Sequence, residues 1–226
     1  LLQGHNDEAI EHFQMASRYA TFKSSQGHGL SLMAAGYLAS GETKEAISVW
    51  EEGLELLSAP PVEGSETQEG GGGGVGEDTV AEDQRQIDRA RAHLLANLAQ
   101  VKLLQDKDAR KEATSQLSDA LKLLEGITAD DGATDIPMAR TLSLLGWSFL
   151  IDEQPVTAEG LLRSACDTLD QQNDVMKNSP LYVYTLQEHL EIYSKLLKAW
   201  ENRDKDGIEY AKQADSLEKK FQISVP

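Results

Sequence analysis

Apolar residues recur along most of the chain with the three- and four-residue spacing of an amphipathic helix. Leu94, Leu98 and Val101 follow this spacing, and so do Leu117 and Leu121. No run of β-branched residues alternates with polar ones, so the sequence predicts an all-α fold without a sheet. The predicted helices cover residues 1–17, 25–40, 43–58, 83–105, 109–126, 136–151, 155–171, 180–201 and 204–221.

The helical pattern stops between residues 59 and 83. This segment contains five consecutive glycines from Gly70 to Gly74, seven acidic residues, and no Lys or Arg. It has too little apolar surface to offset the entropy lost on ordering. We therefore expect a disordered, acidic, Gly-rich insertion that separates residues 1–58 from residues 84–221. The simpler interpretation is a solvated insertion without a binding role. The alternative is an acidic segment that attracts a basic partner.

One motif recurs along the chain. It consists of a small residue, a large residue four positions later and a second small residue three positions after the large one. A small residue at a helix crossing lets two helix axes approach to about 8–10 Å, and the large residue fills the space beside it. The copies are Ala9-Phe13-Ala16, Ala46-Trp50-Gly53, Ala113-Leu117-Ala120, Ala158-Leu162-Ala165 and, more weakly, Gly207-Ala211-Ala214.

A second pattern precedes several of these copies. Leu145-Gly146-x2-Phe149 comes before Ala158, Met33-Ala34-x2-Tyr37 before Ala46, and Leu98-Ala99 before Ala113. The combined pattern resembles the tetratricopeptide repeat (TPR), with long repeats of the kinesin light chain type, over about residues 1–58 and 90–218. The resemblance implies a right-handed α-solenoid of antiparallel helix pairs with about nine helices. It also implies a truncated first repeat and a C-terminal capping helix pair that ends near residue 221.

Composition limits the classes of partner. The chain has 38 acidic and 21 basic residues and a formal net charge of −17, which argues against binding nucleic acid or an anionic membrane by electrostatics. Its single cysteine excludes an internal disulfide framework, and it has no apolar run long enough to span a membrane. The chain starts without Met in what reads as the middle of a repeat, so we interpret it as a fragment. A cytoplasmic location is the default expectation, with the mitochondrial matrix as the alternative if a presequence was removed.

We find no constellation of residues typical of catalysis, so we expect no enzymatic activity, no metal and no cofactor. The five histidines lack the spacing of a zinc motif, and the glycine run lacks the Lys-Ser/Thr of a phosphate-binding loop. His5 and His12 could share a helix face, and a solvated pair is the simpler interpretation. Cys166 is expected to be a small core residue rather than a nucleophile.

The TPR resemblance implies a partner-binding groove lined by the first helix of each pair. The residues expected to face it are His28, Ser31, Leu38, His93, Asn97, Gln100, Arg140, Ser143 and Trp147, with Ala35 and Leu144 beside them. Trp147 is either an anchor for a partner or a packing residue against the neighbouring repeat. Arg140 and Asn97 are expected to be isolated, so the groove would suit a neutral, apolar or basic segment better than an acidic tail.

These observations favour a scaffold or adaptor that binds a peptide or helix of a partner protein, as part of a larger complex. An assembly or quality-control factor of a mitochondrial or plastid complex is the alternative. A third possibility is an enzyme, which the lack of a catalytic constellation disfavours unless the removed part of the chain holds a catalytic domain. Self-association of the repeats is a fourth possibility.

Overall fold

The computed structural model describes residues 6–59, 77–127, 135–200 and 202–221. These residues form ten α-helices and contain no β-strand, which confirms the prediction of an all-α fold. The helices are α1 (Asn6–Tyr19), α2 (Lys23–Ala39), α3 (Thr43–Ser58), α4 (Glu77–Leu103), α5 (Lys107–Gly126), α6 (Asp135–Ile151), α7 (Pro155–Asp170), α8 (Asp174–Lys177), α9 (Pro180–Ala199) and α10 (Asp204–Phe221).

The largest differences from the predicted helices lie at two places. Residues 1–5 of the first predicted helix lie outside the described residues, and the other helix ends agree within two residues. Helix α4 begins at Glu77, six residues before its predicted start, and the rest of the predicted insertion, residues 60–76, lies outside the described residues. Helix α8 is an additional single turn that is too short to show a hydrophobic period. Its start is fixed by Asn173, whose side chain accepts a hydrogen bond from Met176 N.

Side-chain caps mark the starts of α9 and α5. Ser179 Oγ accepts from Tyr182 N at 3.2 Å at the start of α9, with Pro180 in the first turn. Asp106 Oδ1 accepts from the backbone N–H groups of Asp108 and Ala109, both at 3.0 Å, at the start of α5. These side chains satisfy donors that have no partner within the helix.

The chain divides into two compact units, Leu1–Leu94 and Leu95–Pro226, with the boundary inside α4. In the N-terminal unit, α2 contacts α1 and α3. In the C-terminal unit, α6 contacts α5, α7 and α9, and α9 also contacts α7, α8 and α10. Every residue of α6 from Ala139 to Gly146 is buried, so α6 is the central helix of that unit.

The repeated motif marks core positions in three helices, as the sequence predicts. The leading, large and trailing residues of these copies are all buried in α3, α5 and α7. They are Ala46, Ala113 and Ala158; Trp50, Leu117 and Leu162; and Gly53, Ala120 and Ala165.

The copy in α1 was predicted in the wrong register. Helix α1 buries Ile10 and Ser17, one position after the predicted Ala9 and Ala16. The glycines of α2 explain the shift: a Cβ at Gly36 would lie 2.8 Å from Ile10 Cγ1, and one at Gly29 would lie 2.9 Å from Ser17 Cβ. The α1 side chains fill hollows on α2, and the positions of those hollows set the register.

Two turns between helices have the same backbone structure. After α2, Glu42 N donates to Tyr37 O and Gly41 N donates to Leu38 O, and Gly41 has φ +83°. After α6, Gln154 N donates to Phe149 O and Glu153 N donates to Leu150 O, and Glu153 has φ 59°. This is the Schellman arrangement, with one left-handed residue just past the helix end. The turns after α2 and α6 therefore share one backbone geometry.

Close packing also explains why the last copy begins with glycine. A Cβ at Gly207 of α10 would lie 3.0 Å from both Ser194 O and Lys198 N, which belong to the backbone of α9. These atoms cannot move aside as a flexible side-chain end would. At Gly160 of α7, a Cβ would meet nothing within 4 Å.

We expect Gly207→Ala and Gly160→Ala to change stability in opposite directions. Gly207→Ala should lower the free energy of unfolding by about 1–3 kcal/mol, because α10 must move away from α9. Gly160→Ala should raise it by about 0.5–1 kcal/mol, because alanine loses less backbone entropy in a helix. Urea denaturation followed by circular dichroism measures both changes. Equal changes in the two variants would show that close helix approach does not determine the residue at position 207.

Candidate interaction site

In the N-terminal unit, the structure brings two of the expected groove residues together. The imidazole rings of His28 on α2 and His93 on α4 have centroids 6.5 Å apart and planes tilted by 37°. His28 is exposed and His93 is half-buried. Leu38 is half-buried, whereas Ser31 is 5% exposed and belongs to the core side of α2.

The exposed residues of α2 form one uncharged face. They lie at spacings of three and four residues, which places them along a single side of the helix. They are Ser25, His28, Leu32, Ala35 and Ala39. Leu32 is 38% exposed and is the largest apolar side chain on this face. Leu32 was not among the residues expected to face the groove, because the side of α2 assigned to the groove contained its neighbour Ser31.

In the C-terminal unit, four polar side chains from three helices join in what we call the Arg140 network. Arg140 of α6 donates from Nη1 to Asn97 Oδ1 at 2.6 Å and from Nη2 to Gln100 Oε1 at 2.7 Å. Its Nε donates to Glu188 Oε2 of α9 at 3.1 Å. Gln100 Nε2 donates to Glu188 Oε1 at 2.6 Å and closes a ring of three side chains.

The Arg140 network shows that Arg140 and Asn97 are not isolated from each other, whereas their expected place in a groove stays a prediction. Arg140 is 3% exposed, and its three guanidinium nitrogens all donate to other members of the network. Such a guanidinium has little surface to offer a partner. The two residues are 43 positions apart, so their spacing in the sequence does not reveal the contact.

Burial and ion pairing shift the pKa of the Glu188 carboxyl in opposite directions. Burial raises the pKa of the Glu188 carboxyl, and the Arg140 guanidinium opposes this shift. The Tyr184 ring lies 5.7 Å from Arg140 Cζ and covers the guanidinium from a second direction. Removing either charge would leave the other one buried without a counter-ion, at a cost of about 3–5 kcal/mol.

Ser143 also contacts α9 rather than an open groove. Ser143 Oγ donates to Ala139 O at 2.9 Å, so it accepts from His189 Nδ1, which lies 2.9 Å away. His189 Nε2 is buried and has no hydrogen-bond partner among the described residues. Burial lowers the pKa of His189 from its usual 6.5 to about 4. The imidazole is therefore neutral at physiological pH.

Trp147 is half-buried and packs against the core of its own unit. Lys195 Nζ of α9 lies 5.5 Å from the centroid of its ring, within the range of a cation–π contact. Part of the ring is thus covered by α9, and the expectation that it anchors a partner stays a prediction.

The described residues provide few other candidates for chemistry. Among them, no group of three or more His, Cys, Asp or Glu side chains is placed to hold a metal ion. Cys166 is half-buried, with Sγ 3.9 Å from Asp170 Oδ2, and burial raises the pKa of its thiol. A thiol with a raised pKa is a poor nucleophile at neutral pH. His12 is exposed on α1, and His5 lies outside the described residues. None of the helices in the described ranges is both long enough and apolar enough to cross a bilayer.

We expect His189 to make the stability of the protein depend on pH. Between pH 6.5 and pH 4 the unfolded chain binds a proton at this position and the folded chain does not, so stability falls as the pH is lowered. The full loss is about 3 kcal/mol, from 1.36 kcal/mol per pKa unit. His189→Asn keeps a donor toward Ser143 and removes the titration, so its stability should fall less over this range.

Urea denaturation from pH 7 to pH 4 measures this difference, with His12→Asn as the control. The raised pKa of Glu188 acts in the opposite sense in all three proteins and cancels in the comparison. Parallel curves for the wild type and His189→Asn would contradict the assignment to His189.

Comparison with known proteins adds no family assignment. No protein-family model matches the chain, and no curated protein matches it. The resemblance to the TPR therefore stays an expectation from the repeated sequence motifs.

Proposed function

We propose that this chain is a protein-interaction module that binds a helix or an extended segment of a partner protein. The observation that carries the proposal is the uncharged exposed face of α2. In a chain with a net charge of −17, this helix exposes a histidine, a leucine and two alanines in a row along one side. The centres of protein interfaces are depleted of charge in the same way.

The proposed partner surface is neutral or apolar at its centre. Leu32 supplies the apolar contact, and the small side chains of Ala35 and Ala39 allow another backbone to approach closely. His28, His93 and Leu38 border the same region and remain candidate contacts. We propose no catalytic step and no cofactor for this function.

The expected groove contacts of the C-terminal unit contribute less to this proposal. Arg140 and Ser143 are buried, and their hydrogen bonds go to groups within their own unit. Asn97 and Gln100 belong to the Arg140 network. The proposal therefore centres on α2 of the N-terminal unit.

We also infer that the helix pairs are antiparallel and stack as in a right-handed TPR solenoid. The matching turns after α2 and α6 support this inference, as do the three matching columns of buried residues in α3, α5 and α7. A solenoid of this kind presents successive first helices on one surface, which is the arrangement that the adaptor function needs.

Leu32→Glu should abolish or strongly reduce capture of the partner from native extract of the source organism. It places a charge at the centre of the uncharged face, and that charge would lose its water on binding. Ser48→Glu is the matched control, because Ser48 is an exposed residue on α3 of the same unit. Capture followed by mass spectrometry compares the two variants with the wild type, and circular dichroism checks that each is folded. Equal capture by all three proteins would contradict the proposed face.

A further inference from the structure

We propose that His28 and His93 form a two-ligand site for a divalent late transition metal ion of the Zn²⁺ class, at the edge of the α2 face. Their imidazole rings come from two different helices of one unit, with centroids 6.5 Å apart. Imidazole nitrogen is a preferred ligand of zinc, copper and nickel ions. The two histidines are 65 positions apart in the chain, so sequence spacing does not reveal the pair.

The distance between the rings is within reach of coordination. A zinc–nitrogen bond is about 2.0–2.1 Å, so two nitrogens on one tetrahedral ion lie roughly 3.3 Å apart. His28 is exposed and can rotate toward the half-buried His93 without disturbing the core. Such a rotation brings the rings closer while both helices keep their places.

The surrounding charges allow a cation at this position. The exposed face of α2 contains no Lys, Arg, Asp or Glu, and the chain as a whole is strongly acidic. Two arginines of α4 lie within four residues before His93, and Nη1 of the nearer one, Arg91, lies 3.7 Å from Asp88 Oδ1. The other is Arg89, one turn before His93. Its Nη1 donates to Gln86 Oε1 at 3.2 Å, which draws the guanidinium toward the start of the helix and away from His93.

The pair supplies only two of the four ligands that a tetrahedral ion needs. The described residues contain no cluster of three or more metal-binding side chains, so they provide no third ligand beside this pair. His28 lies on the exposed face of α2, which is the proposed docking surface. Resting on the proposed function, we infer that a His, Cys or carboxylate side chain of the bound partner completes the coordination and strengthens the complex.

Isothermal titration of the full chain with Zn²⁺ alone tests the site. The wild type should bind one ion, and His28→Ala and His93→Ala should each weaken binding by about tenfold or more, because each removes one of two ligands. His12→Ala removes another exposed histidine and should leave the affinity within about twofold. No zinc binding by the wild type, or an equal loss in His12→Ala, would overturn the proposal.

A second measurement does not depend on the folding of the variants. Ni²⁺ added to the wild type should broaden the imidazole NMR signals of His28 and His93 before those of His12. Uniform broadening of all three would also overturn the site.

Repeating the partner capture in a chelator separates the two proposals. Capture that stays sensitive to Leu32→Glu while zinc binding fails removes only the metal site. Zinc binding at the pair without such capture removes the proposed function and leaves the metal site standing.

Discussion

The buried guanidinium of Arg140 sets the main constraint on the C-terminal unit. A charge taken out of water needs a counter-ion and a hydrogen-bond acceptor for each donor, or the fold loses several kcal/mol. Arg140 obtains these from α4 and α9, because Asn97 and Gln100 approach it from one side and Glu188 from the other. The ring closes only when the three helices have one relative position. The network therefore contributes specificity of packing more than net stability, and α6 is held at the centre of the unit.

Small residues provide the second constraint. Ala46, Ala113 and Ala158 are fully buried at equivalent positions, where a larger side chain would separate the helices. Gly207 takes this role in α10 because even a Cβ would approach the backbone of α9 too closely.

Much of the fold could be predicted from the sequence, whereas few of the contacts in the candidate site could. Nine helices and the core columns of α3, α5 and α7 were predicted, because period and small-residue motifs are local signals. The register of α1 was wrong because glycines on another helix set it. Helix α8 was missed because one turn has no period. The groove residues were chosen by the side of the helix on which they lie. That position cannot show that Arg140 contacts Glu188, which is 48 positions away in the chain. That pairing depends on tertiary structure, as does the contact between His28 and His93.

A double-mutant cycle on Arg140 and Glu188 tests most directly whether these side chains hold the helices together. The variants are Arg140→Met, Glu188→Leu and the double variant, with the free energy of unfolding measured by urea denaturation. Each single variant should lose about 3–5 kcal/mol, because it leaves one buried charge unpaired. The double variant should lose less than the sum of the two by more than about 1 kcal/mol. Losses below about 1 kcal/mol for each single change, the range of exposed substitutions, would show that the buried ion pair does not constrain the fold. Losses that simply add would show that Arg140 and Glu188 are not coupled.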